Sequence, residues 1–86
     1  MRVQSVVGVV VQGMGDEAML LHPTGARALT LSATAAAVWA CCDGSRQVDN
    51  IVQELAGDYG VAASTIRDDV LTAIQEFSDL GFVEIT

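Results

Sequence analysis

The chain has 86 residues, 51% of them hydrophobic and 17% charged, with eleven acids, four arginines and no lysine, for a net charge of −7. A folded chain of this size hides only about 63% of the surface its extended form exposes, enough for one modest core, so residues 1–86 read as a single domain. That composition excludes a disordered tail, and the charge argues against a nucleic-acid partner, which needs positive charge to displace phosphate counterions. No apolar run nears the roughly 20 residues of a membrane span. Residues 6–11 are too short, and too interrupted by Gly8, for the core of a signal peptide. The expected setting is cytoplasmic, with no membrane partner.

Residues 3–11 are rich in valine and read as a first strand. Gly13, Met14, Gly15 and Asp16 supply a turn, and residues 18–21 a second short strand. His22-Pro23-Thr24-Gly25 has Pro second and Gly fourth, as a type I turn prefers. Residues 27–31 make a third strand, completing an antiparallel meander. Ser32 is the expected N-cap of a helix running to Cys42 and closed by Asp43-Gly44. The adjacent Cys41 and Cys42 lack C-x-x-C spacing and would strain the backbone if bridged, so they read as core residues. In the second helix Val48, Ile51, Val52, Leu55, Ala56 and Tyr59 fall at offsets 0, 3, 4, 7, 8 and 11, the clearest helical period in the chain. A third helix starts near Ser64 or Thr65, with Thr65 and Asp68 at capping-box spacing. It runs to Leu80 and stops at Gly81, and residues 82–85 form a brief extended tail.

The third helix has unequal flanks. Ile66, Val70, Ala73, Phe77 and Leu80 form a core stripe. Asp69, Thr72 and Glu76 make a solvated flank on one side. On the other lie Arg67, Leu71, Ile74 and Ser78, which extend the apolar band by roughly another 100°. Two readings stand: a second contact surface, or a flank covered by the second helix or the sheet. If the third strand is a sheet edge beside that flank, the pair forms a groove suited to an extended peptide added as a strand.

Residues 31–44, Leu-Ser-Ala-Thr-Ala-Ala-Ala-Val-Trp-Ala-Cys-Cys-Asp-Gly, resemble the PqqD-like domain, the leader-peptide recognition element of pathways that modify ribosomally made peptides (RiPPs). Gln47-Val48-Asp49-Asn50-Ile51-Val52, Asp69-Val70-Leu71 and Phe77-Ser78-Asp79-Leu80-Gly81-Phe82-Val83 follow in the family's order. Gln47 replaces the usual Thr, and Phe82 the usual Leu. The resemblance implies an α+β, winged-helix-like fold, with an N-terminal three-stranded antiparallel sheet packed on three α-helices. It implies that a leader peptide adds along the third strand, in a groove lined by Arg27, Ala28, Leu29, Thr30, Leu31, Arg67, Val70, Leu71, Ile74 and Ser78. Trp39 and the stand-alone length resemble the recognition proteins of lasso-peptide pathways. Those hold the precursor's leader while a separate leader peptidase or other modifying enzyme acts. The second reading within the family is the peptide chaperone of pyrroloquinoline quinone synthesis, which works with a radical enzyme.

Rivals of other classes fit less well. A winged-helix DNA-binding protein would read DNA with the third helix, where Arg67 stands against Asp68, Asp69, Glu76 and Asp79. An acyl carrier needs an Asp-Ser-Leu site, and no serine here follows an aspartate. For an enzyme, His22 sits in a turn and Asp68 and Asp69 point to different helix faces. No catalytic residue, metal or cofactor is expected. Trp39 reads as core, and Arg27 and Arg67 as surface residues or partners of a polar leader group. The acidic balance suggests a basic leader or partner enzyme. Asp at Leu71 or Ile74 is expected to abolish binding with the fold intact, and proline at Leu29 to weaken it if that N–H faces the peptide.

Overall fold

Gly8 splits the valine-rich start into two strands. In a computed structural model, which describes residues 2–14, 17–25 and 27–85, Gly8 takes φ +92°. The Pro23 ring lies 3.1 Å from where a Cβ would stand. The chain therefore turns between β1 (Arg2–Ser5) and β2 (Val10–Met14), and the single strand expected over residues 3–11 is corrected to two strands in different sheets. Valines on both sides of Gly8 hid the break, because composition is blind to one positive φ.

The expected meander is present as β2, β3 (Glu17–Leu21) and β4 (Ala28–Leu31), antiparallel in that order. Gly13 and Met14 belong to β2 rather than to the turn, and Gly15 and Asp16 lie outside the described residues. Between β3 and β4, Gly25 N–H donates to the His22 carbonyl at 2.8 Å, as a four-residue turn requires. His22 Nδ1 lies 2.9 Å from Thr24 Oγ1, and its ring meets Phe82 edge-on at 5.6 Å. This histidine ties down its turn.

A second sheet, β5–β1–β6, was not foreseen from sequence. α1 (Ala33–Ala40) begins where Ser32 caps the Ala35 N–H at 3.2 Å but ends before Cys42. Asp43-Gly44, read as the helix stop, instead opens β5 (Asp43–Gln47). The Asp43 carboxylate accepts from Ser45 N–H at 2.9 Å, Ser45 Oγ at 2.6 Å and Arg46 at 3.1 Å. Those Ser45 bonds hold its carboxyl below the usual carboxylate range. Gly44 takes φ +82°, with the Gln4 side chain filling the place a Cβ would need. β1 meets β5 through an irregular register, Arg2 opposite Gln47 but Gln4 opposite Asp43, so a bulge absorbs the extra β5 residues.

The helices follow their apolar periods. α2 (Val48–Tyr59) buries Val48, Ile51, Val52, Leu55 and Ala56, whereas Tyr59 stays 47% exposed. α3 (Ala63–Asp79) starts from an N-cap at Ala62 that has no side-chain bond, so the Thr65–Asp68 capping box is not used. At its other end Phe82 N–H donates to the Phe77 carbonyl at 2.8 Å and Gly81 N–H to the Ser78 carbonyl at 3.1 Å. This is a Schellman stop with glycine in the left-handed position, and it delivers the chain into β6 (Val83–Ile85) against β1. Val3, Leu20, Leu31, Val38, Ile51, Phe77 and Phe82 are sealed in one core. The described residues thus form an α+β fold with three helices, in keeping with the winged-helix-like expectation. None of the described helices is long and apolar enough to cross a membrane.

Both cysteines are buried and unbridged. Cys42 Sγ donates to the Val38 carbonyl at 3.2 Å, and burial pushes this thiol up to about 12 from an ordinary 9.0. Because the folded state holds the proton longer than the unfolded state, Cys42 stabilises the fold below about pH 9 and loses that contribution as pH rises toward 12. A thiol-reagent titration at pH 8 should therefore find Cys42 unreactive until denaturant is added, and Cys42→Ala should flatten the alkaline fall of the melting temperature. Gly44→Ala should cost at least about 1–2 kcal/mol in urea unfolding, from its left-handed backbone alone.

Candidate functional site

Position in the β3–β4 ladder decides which groups β4 offers outward. His22 N–H donates to the Arg27 carbonyl at 3.0 Å, and the register continues as Leu21 opposite Ala28, Leu20 opposite Leu29, Met19 opposite Thr30 and Ala18 opposite Leu31. In an antiparallel pair, bonded and non-bonded positions alternate. Leu29 and Leu31 therefore spend their backbone groups on β3, while Ala28 and Thr30 direct N–H and C=O away from the sheet. Among the described residues no strand takes them up, because β4 is an edge. The side chains alternate as well: Leu31 is buried and Leu29 half-buried, whereas Ala28 and Thr30 are exposed.

Beside this edge lies a groove of about 240 Å³. Its strand side is Leu29, Thr30 and Leu31, its end is formed by Ser32 and Ala35 of the α1 start, and its far wall is Ala73, Glu76 and Phe77 of α3. It continues into a hollow of about 330 Å³ that shares Ser32, Ala35, Ala73 and Glu76 and adds Thr34, Asp69 and Thr72. Half-buried Trp39 packs edge-on against Phe77, 5.4 Å between ring centres, and so backs the α3 wall of the groove. At the opposite end Arg27 Nη1 donates to the Asp79 carbonyl at 3.5 Å, which sets the start of β4 beside the end of α3.

Of the expected strand residues, Leu29, Thr30 and Leu31 line the groove, Ala28 continues the edge and Arg27 precedes β4, while the α3 wall differs. Val70 is 0% and Ile74 3% exposed, so both are core; α3 packs against α1, α2 and β6, which accounts for the wide apolar band. Arg67 pairs with Asp49 at 3.0 Å and shares a separate hollow with Leu71, Gln47 and Val48. Leu71 is 38% exposed and lies between that hollow and the outer face of α3, beside Thr72 and Glu76, not in the groove along β4. Ser78 is half-buried at the helix end. The wall facing β4 is instead Ala73, Glu76 and Phe77, while Asp69 and Thr72, from the flank read as solvated together with Glu76, line the adjoining hollow beside the start of α1. A helical wheel separates polar from apolar faces but cannot distinguish bulk water from a groove. The usable signal was Ala73, the smallest member of the core stripe, next to that polar row.

The trough is acidic. Asp69 and Glu76 make no ion pair among the described residues, whereas Arg46 is bonded to Asp43 and Glu54 and Arg67 to Asp49, away from the groove. Nor do the described residues hold a cluster of three or more His, Cys, Asp or Glu suited to a metal.

The family model for coenzyme PQQ synthesis protein D (PqqD) matches residues 17–83. No curated protein matches the chain in sequence. Three solved structures share its fold. TbiB1 in complex with the TbiA(beta) leader peptide is 20% identical, with 96% of each chain covered and a TM-score of 0.79. A lasso peptide synthetase B1 complexed with the leader peptide is 15% identical, covering 99% of this chain and 100% of that one at TM-score 0.80. The PqqD truncation of Methylobacterium extorquens PqqCD, described as a functional, stand-alone RiPP recognition element, is 25% identical, covering 96% and 88% at TM-score 0.79.

Burial separates the two α3 substitutions. Ile74→Asp places an unpaired carboxylate in the core, a penalty of several kcal/mol against a total stability of about 5–15, and should leave the chain largely unfolded by circular dichroism. Leu71→Asp should shift stability by less than about 1 kcal/mol.

Proposed function

The chain belongs to the PqqD family, and from that membership we propose that it is a non-catalytic recognition protein that takes the leader of a ribosomally made precursor peptide as an added strand on β4. The observation that carries this reading is the pair of outward-facing backbone positions, Ala28 and Thr30, on an edge strand bordered by an open groove. Two related folds are complexes with leader peptides, which supports it. Leu29, Thr30 and Leu31 line the groove from the strand side, with Ala73, Glu76 and Phe77 opposite, and the proposed peptide path continues along the edge past Ala28 and Arg27.

Magnitudes say what else the site needs. Two outward residues offer at most four backbone bonds, a net of about 2–6 kcal/mol. Association costs about 4 kcal/mol or more, and ordering a flexible peptide about 2–5. Backbone pairing alone therefore does not hold a leader. Apolar side chains seated over Leu29, Ala73 and Phe77, at about 1.5–3 kcal/mol each, supply the surplus. The task is to raise the effective concentration of the precursor near a leader peptidase or other modifying enzyme.

A lasso-peptide pathway is the first assignment. The second is a PqqD-type chaperone that presents a peptide to a radical enzyme, favoured by the match to the PqqD family model. Fluorescence polarisation with labelled leaders of lasso and pyrroloquinoline quinone precursors separates the two by which one binds. Thr30→Pro removes an outward donor at an edge position that tolerates proline, and should weaken the bound leader at least tenfold with the melting temperature unchanged. Leu29→Pro is not the right test, because that N–H faces β3; it should destabilise the sheet itself. Wild-type affinity in a folded Thr30→Pro variant would remove the strand-addition reading. With Asp69 and Glu76 along the trough, the affinity for a basic leader should also fall as salt rises.

A further inference from the structure

Tyr59 keeps the apolar period of α2 yet ends up outside the core, 47% exposed, and Val61 beside it is 41% exposed. Around them lies a pocket of about 280 Å³ formed by Tyr59, Val61, Ile66 and Thr65, with Thr34 and Asp69 on its rim. Buried Ile66 is its apolar floor. The same Thr34 and Asp69 line the hollow that adjoins the β4–α3 groove, so groove, hollow and pocket follow one another along α3 with shared rims. Its volume falls below the about 300–1,000 Å³ of small-molecule sites and suits a single large side chain.

We propose that this pocket is a second anchor point for the same peptide: an apolar side chain seats against Tyr59, Val61 and Ile66 after the peptide leaves β4. The proposal rests on the strand-addition reading and extends it to specificity. From Phe77, at the β4 end of the trough, to Ile66, α3 advances about 16 Å, the reach of about five extended residues. The anchor therefore lies about five positions from the β4-paired segment, whichever way the peptide runs. Glu76 and Asp69 stand along the path with no ion pair among the described residues, and they favour a lysine or arginine in the intervening stretch. A second copy of the chain is the poorer occupant, since it brings a net charge of −7 to an acidic trough.

The test pans a phage-displayed library of random peptides about twelve residues long, enough to span both sites, on the full chain. The recovered consensus peptide is then synthesised with a fluorescein label. Expected is a shared apolar residue about five positions from the strand-forming segment, with a basic residue between. Tyr59→Ala should weaken that peptide at least tenfold at unchanged melting temperature, and should cause no further loss once the peptide's apolar residue is itself alanine. Binding that Thr30→Pro abolishes but Tyr59→Ala leaves intact overturns the pocket and keeps strand addition. Binding indifferent to Thr30→Pro, or no peptide recovered at all, overturns both. A dimer in sedimentation that Tyr59→Ala dissolves assigns the pocket to a second copy and overturns the proposal.

Discussion

α3 takes its support from elements other than β4. It packs against α1 and α2, its core stripe is sealed at Ile66, Val70, Ala73 and Phe77, and its end is locked by the Schellman turn that feeds β6 into β1. β4 in turn is fixed by its register on β3. The gap between them is therefore a standing feature of the fold. It persists because each wall gets its stability from elsewhere, and this is the condition for a groove that receives a ligand without first paying to open.

The second sheet is part of the same support. β1 runs between β5 and β6, so a few residues near the chain start tie the exit of α1 to the exit of α3. Gly44 and Gln4 interlock at one side of this joint, and Val3 is sealed within it. The arginines show the same division of labour. Arg46 bridges Asp43 and Glu54, and Arg67 reaches Asp49, so positive charge is drawn into ties on the α2 side. Acidic character is left along the trough.

Much of this was legible in the residues. The period of α2, the Ser32 cap and the turn at His22–Gly25 each rest on local chemistry, and local chemistry is what a sequence displays. What escaped was non-local. β5 has no apolar alternation, because Asp43-Gly44-Ser45-Arg46 is a turn-like string made into a strand by pairing with β1. The apolar flank of α3 looked like a surface because Ile74 finds its cover in parts of the chain far from it in sequence. The outward direction of Thr30 rather than Leu29 followed only once the His22–Arg27 bond fixed the phase of the ladder.

The brevity of β4 also bears on time. A strand of four residues with two outward positions limits what backbone pairing adds to grip, and at a micromolar affinity with an ordinary association rate of about 10⁵–10⁷ M⁻¹s⁻¹ a bound peptide would leave within roughly 0.1–10 s. On the proposed function such a protein exchanges its peptide rather than storing it. An edge long enough to hold a leader for hours would keep the peptide from the next enzyme in line, so on that reading a short strand makes turnover of the precursor compatible with its capture.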